Sequence, residues 1–100
     1  MIYRVHTTKR FNKEIEKLSK EENKRIKNIY QQIKENPYIG NQLKIKILRE
    51  KRLEEKRIYY LIFEDLQAVL MIAISNKKAQ QKVIDYILEN SKIFRESVIK

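Results

Sequence analysis

The sequence predicts an α+β fold in which an N-terminal strand and a helical hairpin precede a three-stranded antiparallel meander and a C-terminal helix. Apolar residues recur with helical spacing before residue 36, the pattern changes to β-rich runs between residues 43 and 75, and helical spacing then returns. One hundred residues with a single Gly and a single Pro fit one domain, residues 1–100. About residues 1–91 form its core, and 92–100 either extend the last helix or form a separate docking segment or tail.

The first half of the chain predicts a strand and the first helix of the hairpin. Residues Ile2–His6 alternate apolar and polar side chains, as in a short strand. Either Thr7 or Thr8 caps a helix that runs to about Leu18, because its apolar residues share one face.

The second helix has clear start and stop signals. Ser19 and Glu22 have the spacing of a capping box, so a new helix begins there. It ends before Pro37, because proline disfavours the helical conformation in the preceding residue. With one short turn between them, both helices are predicted to lie antiparallel and to pack against the same sheet.

The second half of the chain predicts the meander and the last helix. The three β-rich runs are Leu43–Leu53, Lys56–Phe63 and Ala68–Ser75, with short polar links between them. The third run is apolar on both faces, which places it inside the sheet, beside the first strand. Asn76 is predicted to cap a final helix over Lys77–Glu89.

Charge and composition limit the function classes. The chain carries 23 Lys and Arg against 13 Asp and Glu, a net charge of +10. This balance favours nucleic acid, an acidic protein or an anionic membrane surface as a partner. No apolar run is long enough to span a bilayer and no signal peptide is evident, so we expect a cytoplasmic protein. The absence of Cys excludes thiol chemistry and disulfides.

Seven cationic side chains lie among aliphatic residues between Leu43 and Arg57. Charges spaced this way on extended chain predict a basic surface fixed to a sheet, suited to a polyanion. The simpler alternative is that these Lys and Arg side chains serve solubility.

Four segments in this order resemble the RelE/ParE superfamily of toxins from type II toxin-antitoxin systems. They are Thr8–Leu18, Ile29–Leu43, Leu48–Phe63 and Ile74–Ile87. They look like the family's first helix, its helix end with an N-P turn, its cationic strand pair and the basic segment that opens its last helix. The resemblance covers nearly the whole chain and implies a β-α-α-β-β-β-α fold.

The resemblance, with its RelE branch favoured, implies a ribosome-dependent endoribonuclease that cleaves mRNA and so inhibits translation. The 2′-OH would attack the adjacent phosphate and leave a 2′,3′-cyclic phosphate and a 5′-OH, with no metal and no cofactor required. The implied partners are a cognate acidic antitoxin, forming a possible heterotetramer, together with the ribosome and mRNA, and no membrane.

The resemblance also implies site residues. Arg57 is the strongest candidate, because it precedes the strand as the family's Arg does, and it would hold the scissile phosphate through a bidentate guanidinium. The other catalytic candidates are Arg49, Lys51, Arg52 and Lys78. The RNA-binding candidates are Lys44, Lys46, Lys56, Tyr59 and Lys77, of which Lys44 or Lys46 could serve as base.

Several alternatives remain open at this point. Tyr59 and Tyr60 point to opposite faces, so one packs in the core and the other lines the basic face, where it could stack on a base. The alternative is that this second tyrosine is also a core residue whose hydroxyl is hydrogen-bonded. Tyr86 is expected to pack within the last helix, and His6 to lie at the surface or at a strand edge. The ParE branch of the family inhibits DNA gyrase without cleaving RNA. A basic RNA- or ribosome-binding protein without catalysis is the third interpretation.

Overall fold

The computed structural model describes residues 2–99 and confirms the α+β class. Its strands are β1 (Arg4–Thr7), β2 (Asn41–Leu43), β3 (Ile45–Leu53), β4 (Lys56–Phe63) and β5 (Ala68–Asn76). Its α-helices are α1 (Lys9–Ile15), α2 (Lys20–Glu35), α3 (Gln80–Glu89) and α4 (Ser91–Ile99). Short 3₁₀ helices at Pro37–Ile39 and Glu64–Leu66 lead into β2 and β5.

The five strands form one mixed sheet in the order β1-β5-β4-β3-β2. The pair β1–β5 is parallel, and the other three pairs are antiparallel. The strand β5 therefore lies inside the sheet beside the first strand, as its apolar sequence predicts.

Helices cover both faces of this sheet. Tyr60 on β4 packs in a cluster with residues of α1 and α2, whereas its neighbour Tyr59 packs in a cluster with α3 and α4. Successive strand residues point to opposite faces, so β4 and β5 are buried along nearly their whole length. The prediction that the first two helices pack against the same sheet is confirmed.

Several element boundaries differ from the sequence prediction: β1 begins at Arg4 instead of Ile2, and α1 ends at Ile15 instead of about Leu18. The run Leu43–Leu53 is two strands, because Lys44 adopts a left-handed conformation, with φ of 52°, and reverses the chain. The last helix begins at Gln80 because residues 77–79 form a turn, in which the Asn76 side chain accepts a hydrogen bond from the Ala79 N–H. The chain then breaks at Asn90, and residues 91–99 form the separate helix α4.

Helix α1 fixes an irregularity near the end of β5. Tyr59 lies opposite Ala73 while Tyr60 lies opposite Met71, so β5 has one extra residue there, a β-bulge. The Thr8 hydroxyl donates to the Ile72 carbonyl at 2.8 Å, and a Glu14 carboxylate oxygen accepts from the Ile74 N–H at 2.9 Å. These bonds attach the second half of β5, which stays paired with β4 up to Asn76, to α1 and its capping residue.

Candidate functional site

A basic cleft with a volume of about 540 Å³ opens where β4 begins and β5 ends. We call it the strand-end cleft. It is lined by Arg52, Glu55, Arg57, Asn76, Lys77 and Lys78. The structure thus brings four of the predicted site residues together: two from the β-hairpin and two from the turn before α3.

The β3–β4 hairpin places both arginines on one face of the sheet. Its connection is the residue pair Glu54–Glu55, with Glu54 in the left-handed conformation at φ of 57°. This short connection fixes the register so that Arg52 lies opposite Arg57. Arg57 also pairs with Ser75 on β5, which brings it next to the turn that carries Lys77 and Lys78.

Arg57 is held rigidly by its surroundings. Its exposed fraction is only 9%, and its Nε lies 2.8 Å from a carboxylate oxygen of Glu50, which is itself 7% exposed. The second Glu50 oxygen accepts a hydrogen bond from Gln80 at 3.2 Å, and Arg57 Nη1 donates to the Glu55 carbonyl at 3.4 Å. A buried ion pair with these added contacts orients the guanidinium and compensates much of its charge.

The remaining cations give the cleft its net positive charge. Arg52, Lys77 and Lys78 are all exposed, and Glu55 supplies the one carboxylate among the lining residues. Such a surface attracts an anion, and guanidinium groups match the geometry of phosphate oxygens. The cleft can therefore bind a phosphodiester next to a carboxylate that could accept a proton.

Two predicted catalytic residues lie on the other face of the sheet. Arg49 and Lys51 alternate with Arg52 along β3, so they point toward the α1–α2 side. Arg49 donates to the backbone carbonyls of Lys46 and Gly40, and its guanidinium lies 5.0 Å from the centre of the Tyr38 ring. Arg49 thus holds the segment before β2, away from the strand-end cleft.

The predicted RNA-binding lysines are dispersed. Lys44 occupies the β2–β3 turn and Lys46 lies at the start of β3, six residues from Arg52, which corresponds to about 20 Å along a strand. Lys56 binds both carboxylate oxygens of Glu22 on α2, at 3.0 and 3.1 Å. Only Lys77 among the cationic RNA-binding candidates lines the strand-end cleft.

The tyrosine prediction is wrong in one respect. Tyr59 and Tyr60 do point to opposite faces, but both side chains are fully buried because helices cover both faces. The Tyr59 hydroxyl lies 2.9 Å from Ser75 Oγ, and burial raises its pKa. Its ring is not available to stack on a base. Burial also raises the pKa of Tyr60 to about 12, which keeps its hydroxyl protonated.

The other two aromatic residues considered from sequence lie outside the strand-end cleft. Tyr86 packs edge-on against Phe94, with ring centres 5.7 Å apart, and Arg10 lies over its other surface. Tyr86 thus contacts α1 and α4 but is 37% exposed, so the packing prediction is confirmed only in part. His6 lies on the edge strand β1, half-buried, and its Nε2 has no hydrogen-bond partner within residues 2–99.

Three functional candidates were missed from the sequence. Glu50 and Gln80 orient Arg57, and Glu55 adds a carboxylate to the cleft. A signal for Glu50 was present, because a two-residue hairpin link places it on the same face as Arg57, one position diagonally across. No comparable signal existed for Gln80, since its contact spans 30 residues.

The part of the chain that the structure describes shows neither a metal-binding cluster nor a membrane-spanning helix. Residues 2–99 contain no group of three or more His, Asp or Glu side chains placed to hold a metal ion. None of the four α-helices is both long and apolar enough to cross a bilayer.

Known structures of bacterial and archaeal toxins share this architecture. A mutant of the Escherichia coli toxin RelE in the free state superposes with a TM-score of 0.71 at 20% identity, over 81% of this chain and 90% of that one. The archaeal RelE–RelB complex from Pyrococcus horikoshii gives 0.70 at 19% identity, over 77% and 97%. The RelBE2 toxin-antitoxin complex from Mycobacterium tuberculosis gives 0.67 at 16%, over 77% and 100%.

The likeness is one of structure rather than sequence. No protein-family model matches the chain, and no curated protein is significantly similar to it. The three structures nonetheless cover about four-fifths of the chain and nearly all of their own length. This chain therefore has the RelE fold.

Proposed function

We propose that the chain is a RelE-like toxin of a toxin-antitoxin system that cleaves mRNA on the ribosome. The fold supports the toxin class, and the strand-end cleft supports the chemistry. The observation that carries the proposal is the convergence of Arg52, Arg57, Lys77 and Lys78 on one cleft that also contains a carboxylate. Such a toxin would act in the cytoplasm, where the ribosomes are.

The reaction is a transesterification within the RNA. The 2′-oxygen attacks the adjacent phosphorus, the bond from phosphorus to the 5′-oxygen breaks, and a 2′,3′-cyclic phosphate forms. Arg57 and Arg52 would bind the phosphate and stabilise the negative charge that grows on it in the transition state. Arg57 suits this role because Glu50 and Gln80 already fix its orientation.

Two proton transfers complete the reaction. The 2′-OH must lose its proton to a base, and the leaving 5′-oxygen must gain one from an acid. We assign the base to Glu55, the carboxylate that lines the cleft, and the acid to the ammonium of Lys77 or Lys78. This assignment replaces Lys44 in the β2–β3 turn and Lys46 at the start of β3, both of which lie far from the cleft.

The proposed partners follow from the proteins with the same fold. The intact E. coli RelBE toxin-antitoxin complex and the Pyrococcus RelE–RelB complex each hold a toxin with its antitoxin. We propose that a cognate acidic antitoxin binds this chain and forms a heterotetramer with it. The net charge of +10 favours it, and also favours the ribosome and mRNA as targets.

Purified protein incubated with translating ribosomes tests the activity. Arg52→Ala should lower the rate of mRNA cleavage about 10²-fold, comparable with loss of one transition-state charge contact. Lys51→Ala is the matched control, because it removes one cation from the adjacent residue on the opposite face. Equal effects of the two substitutions would contradict the site, and no cleavage by the wild type would contradict the nuclease.

A second candidate function is supported by one observation. Arg57 is paired with the buried Glu50 carboxylate, which reduces the positive charge that Arg57 can offer to a transition state. A toxin that inhibits DNA gyrase, or a protein that only binds RNA or the ribosome, would use the same basic face. Inhibited supercoiling with intact mRNA would identify the first, and ribosome binding with neither effect would identify the second.

A further inference from the structure

A second, smaller cleft adjoins the strand-end cleft on the other side of the sheet. This side cleft has a volume of about 230 Å³. It is lined by Glu14, Lys17, Leu18, Lys56, Ile74, Ser75 and Asn76. Asn76 also lines the strand-end cleft, so the two clefts meet at the end of β5.

From this continuity we infer that the side cleft is a subsite for single-stranded RNA. It would hold the nucleotide that adjoins the one whose phosphate lies in the strand-end cleft. The subsite rests on the proposed function, because it extends the path of the RNA substrate from the strand-end cleft across the end of β5.

The size of the side cleft favours part of a ligand over a whole one. Complete small-molecule sites have volumes of roughly 300–1,000 Å³, a range that includes the strand-end cleft but not the side cleft. A chain molecule that continues from one cleft into the other would use both. Single-stranded RNA is such a molecule, because proteins bind it along grooves that follow its backbone.

Most charged side chains that line the side cleft are already paired, and one cation remains to bind a phosphate. Both Glu14 oxygens are occupied, one by the Ile74 N–H and the other by Arg10, and Lys56 is paired with Glu22. Lys17 is exposed and has no ion-pair partner within residues 2–99. It is thus the cation that is free to meet a phosphate, while the half-buried Leu18 offers apolar surface to a ribose or base.

Asn76 is suited to the junction between the clefts. Its side-chain oxygen accepts from the Ala79 N–H at 3.0 Å, which fixes the amide group in place. Its NH₂ group forms no hydrogen bond with the residues that the structure describes, and Asn76 is exposed. An RNA chain that crosses from one cleft to the other would pass this donor.

Binding of non-cleavable RNA of two lengths tests the subsite. A 2′-O-methylated tetranucleotide should bind more tightly than the corresponding mononucleotide, because only the longer ligand reaches both clefts. Lys17→Ala should weaken binding of the tetranucleotide by about three- to fivefold, the effect of one exposed ion pair, and leave the mononucleotide unchanged. Lys17→Glu should weaken it further.

Lys20→Ala is the control, because it removes the same charge from an exposed residue that does not line the side cleft. If Lys17→Ala and Lys20→Ala weaken binding of the tetranucleotide equally, then only the net charge of the protein matters, and the subsite is overturned. A tetranucleotide that binds no better than the mononucleotide, while Arg52→Ala still weakens both, would overturn the subsite alone. If the wild type binds neither ligand, phosphodiester binding in the strand-end cleft is also wrong.

Discussion

At the scale of single residues, the contact between Arg57 and Glu50 changes how Arg57 is to be tested. Arg57→Ala leaves the Glu50 carboxylate nearly buried without its cation. Removing one partner of a buried pair costs about 3–5 kcal/mol, so this variant should lose that much free energy of unfolding, measured by urea denaturation. A loss of toxicity in Arg57→Ala would therefore combine lost catalysis with lost stability.

Two variants separate those causes. Arg52→Ala, in the same cleft but exposed, should change the free energy of unfolding by no more than about 0.5 kcal/mol. Arg57→Lys keeps a positive charge near Glu50 and should be less destabilising than Arg57→Ala. If Arg57→Ala unfolds at the same urea concentration as the wild type, the ion pair does not stabilise the protein as argued here.

Gly40 is the one glycine of the chain, and close packing explains it. Its φ of −74° is accessible to any residue, but an added Cβ would lie 2.4 Å from the Tyr60 hydroxyl oxygen and 2.8 Å from the Glu50 carbonyl oxygen. Gly40→Ala should therefore destabilise the protein by about 1–3 kcal/mol, the usual cost of overpacking, in the same denaturation assay.

The Tyr60 hydroxyl allows a double-mutant cycle at this position. It donates to the Pro37 carbonyl at 2.6 Å and accepts from the Gly40 N–H at 3.1 Å. In a Tyr60→Phe background the nearest clashing atom is absent, so Gly40→Ala should cost less than in the wild type. Strictly additive effects would mean that the Tyr60 oxygen is not what excludes a side chain from position 40.

At the scale of elements, the capping box of α2 predicts a pH dependence. The pKa of Glu22 is lowered from its usual value of 4.5. The main cause is the hydrogen bond that its carboxylate accepts from the Ser19 N–H, and the second is the hydrogen bond from Lys56. A lowered carboxylate pKa stabilises the fold above the unfolded pKa, and the gain is lost as pH falls through the folded pKa. The free energy of unfolding should thus decrease as pH falls below 4.5.

Substitution of Glu22 isolates this contribution. The glutamine in Glu22→Gln does not ionise. Between neutral pH and pH below 4.5, the free energy of unfolding of this variant should therefore decrease less than that of the wild type. Glu21→Gln, on the same helical turn, is the control, because Glu21 has no ion-pair partner among residues 2–99. Its free energy of unfolding should decrease with falling pH as much as that of the wild type. Identical pH profiles for wild type and Glu22→Gln would contradict the argument.

The elements that could be predicted from sequence are those whose signals are local. Ser19 and Glu22 bond each other's backbone N–H groups within four residues, and Pro37 ends α2 by its own ring geometry. The break at Lys44 could not be predicted, because lysine is not one of the residue types that usually indicate a turn, such as Gly, Pro, Asn or Asp. The start of α3 was placed three residues early, because Asn76 caps a turn instead of the helix itself.

At the scale of the whole molecule, the strand-end cleft depends on contacts that are distant in sequence. The cationic run was correctly predicted to lie on a sheet, but strand alternation divides it between two faces, and only Arg52 and Arg57 face the turn at Lys77. Whether Tyr59 would be exposed depended on a second helical layer from residues 80–99. Sequence patterns do not indicate which face such a layer covers.

That second layer predicts how removal of α4 affects the protein. Phe94 and Val98 are buried in the cluster beneath α3, and Arg95 pairs with Asp65 and lies 5.6 Å from the centre of the Phe63 ring. Deleting residues 91–100 exposes this cluster, and burying each of the two apolar side chains contributes roughly 1.5–3 kcal/mol. The shortened chain should lose about 3–6 kcal/mol, a large share of the 5–15 kcal/mol typical of a domain.

Urea denaturation followed by circular dichroism measures this loss, and Ile93→Ala is the matched control. Ile93 lies on the same helix but is 63% exposed, so its truncation should change the unfolding free energy by less than about 0.5 kcal/mol. Phe94→Ala removes a buried ring from the same turn and should account for much of the effect of the deletion. If the shortened chain is as stable as the wild type, residues 91–99 are an extension that the fold does not need, and α4 contributes little to covering the sheet.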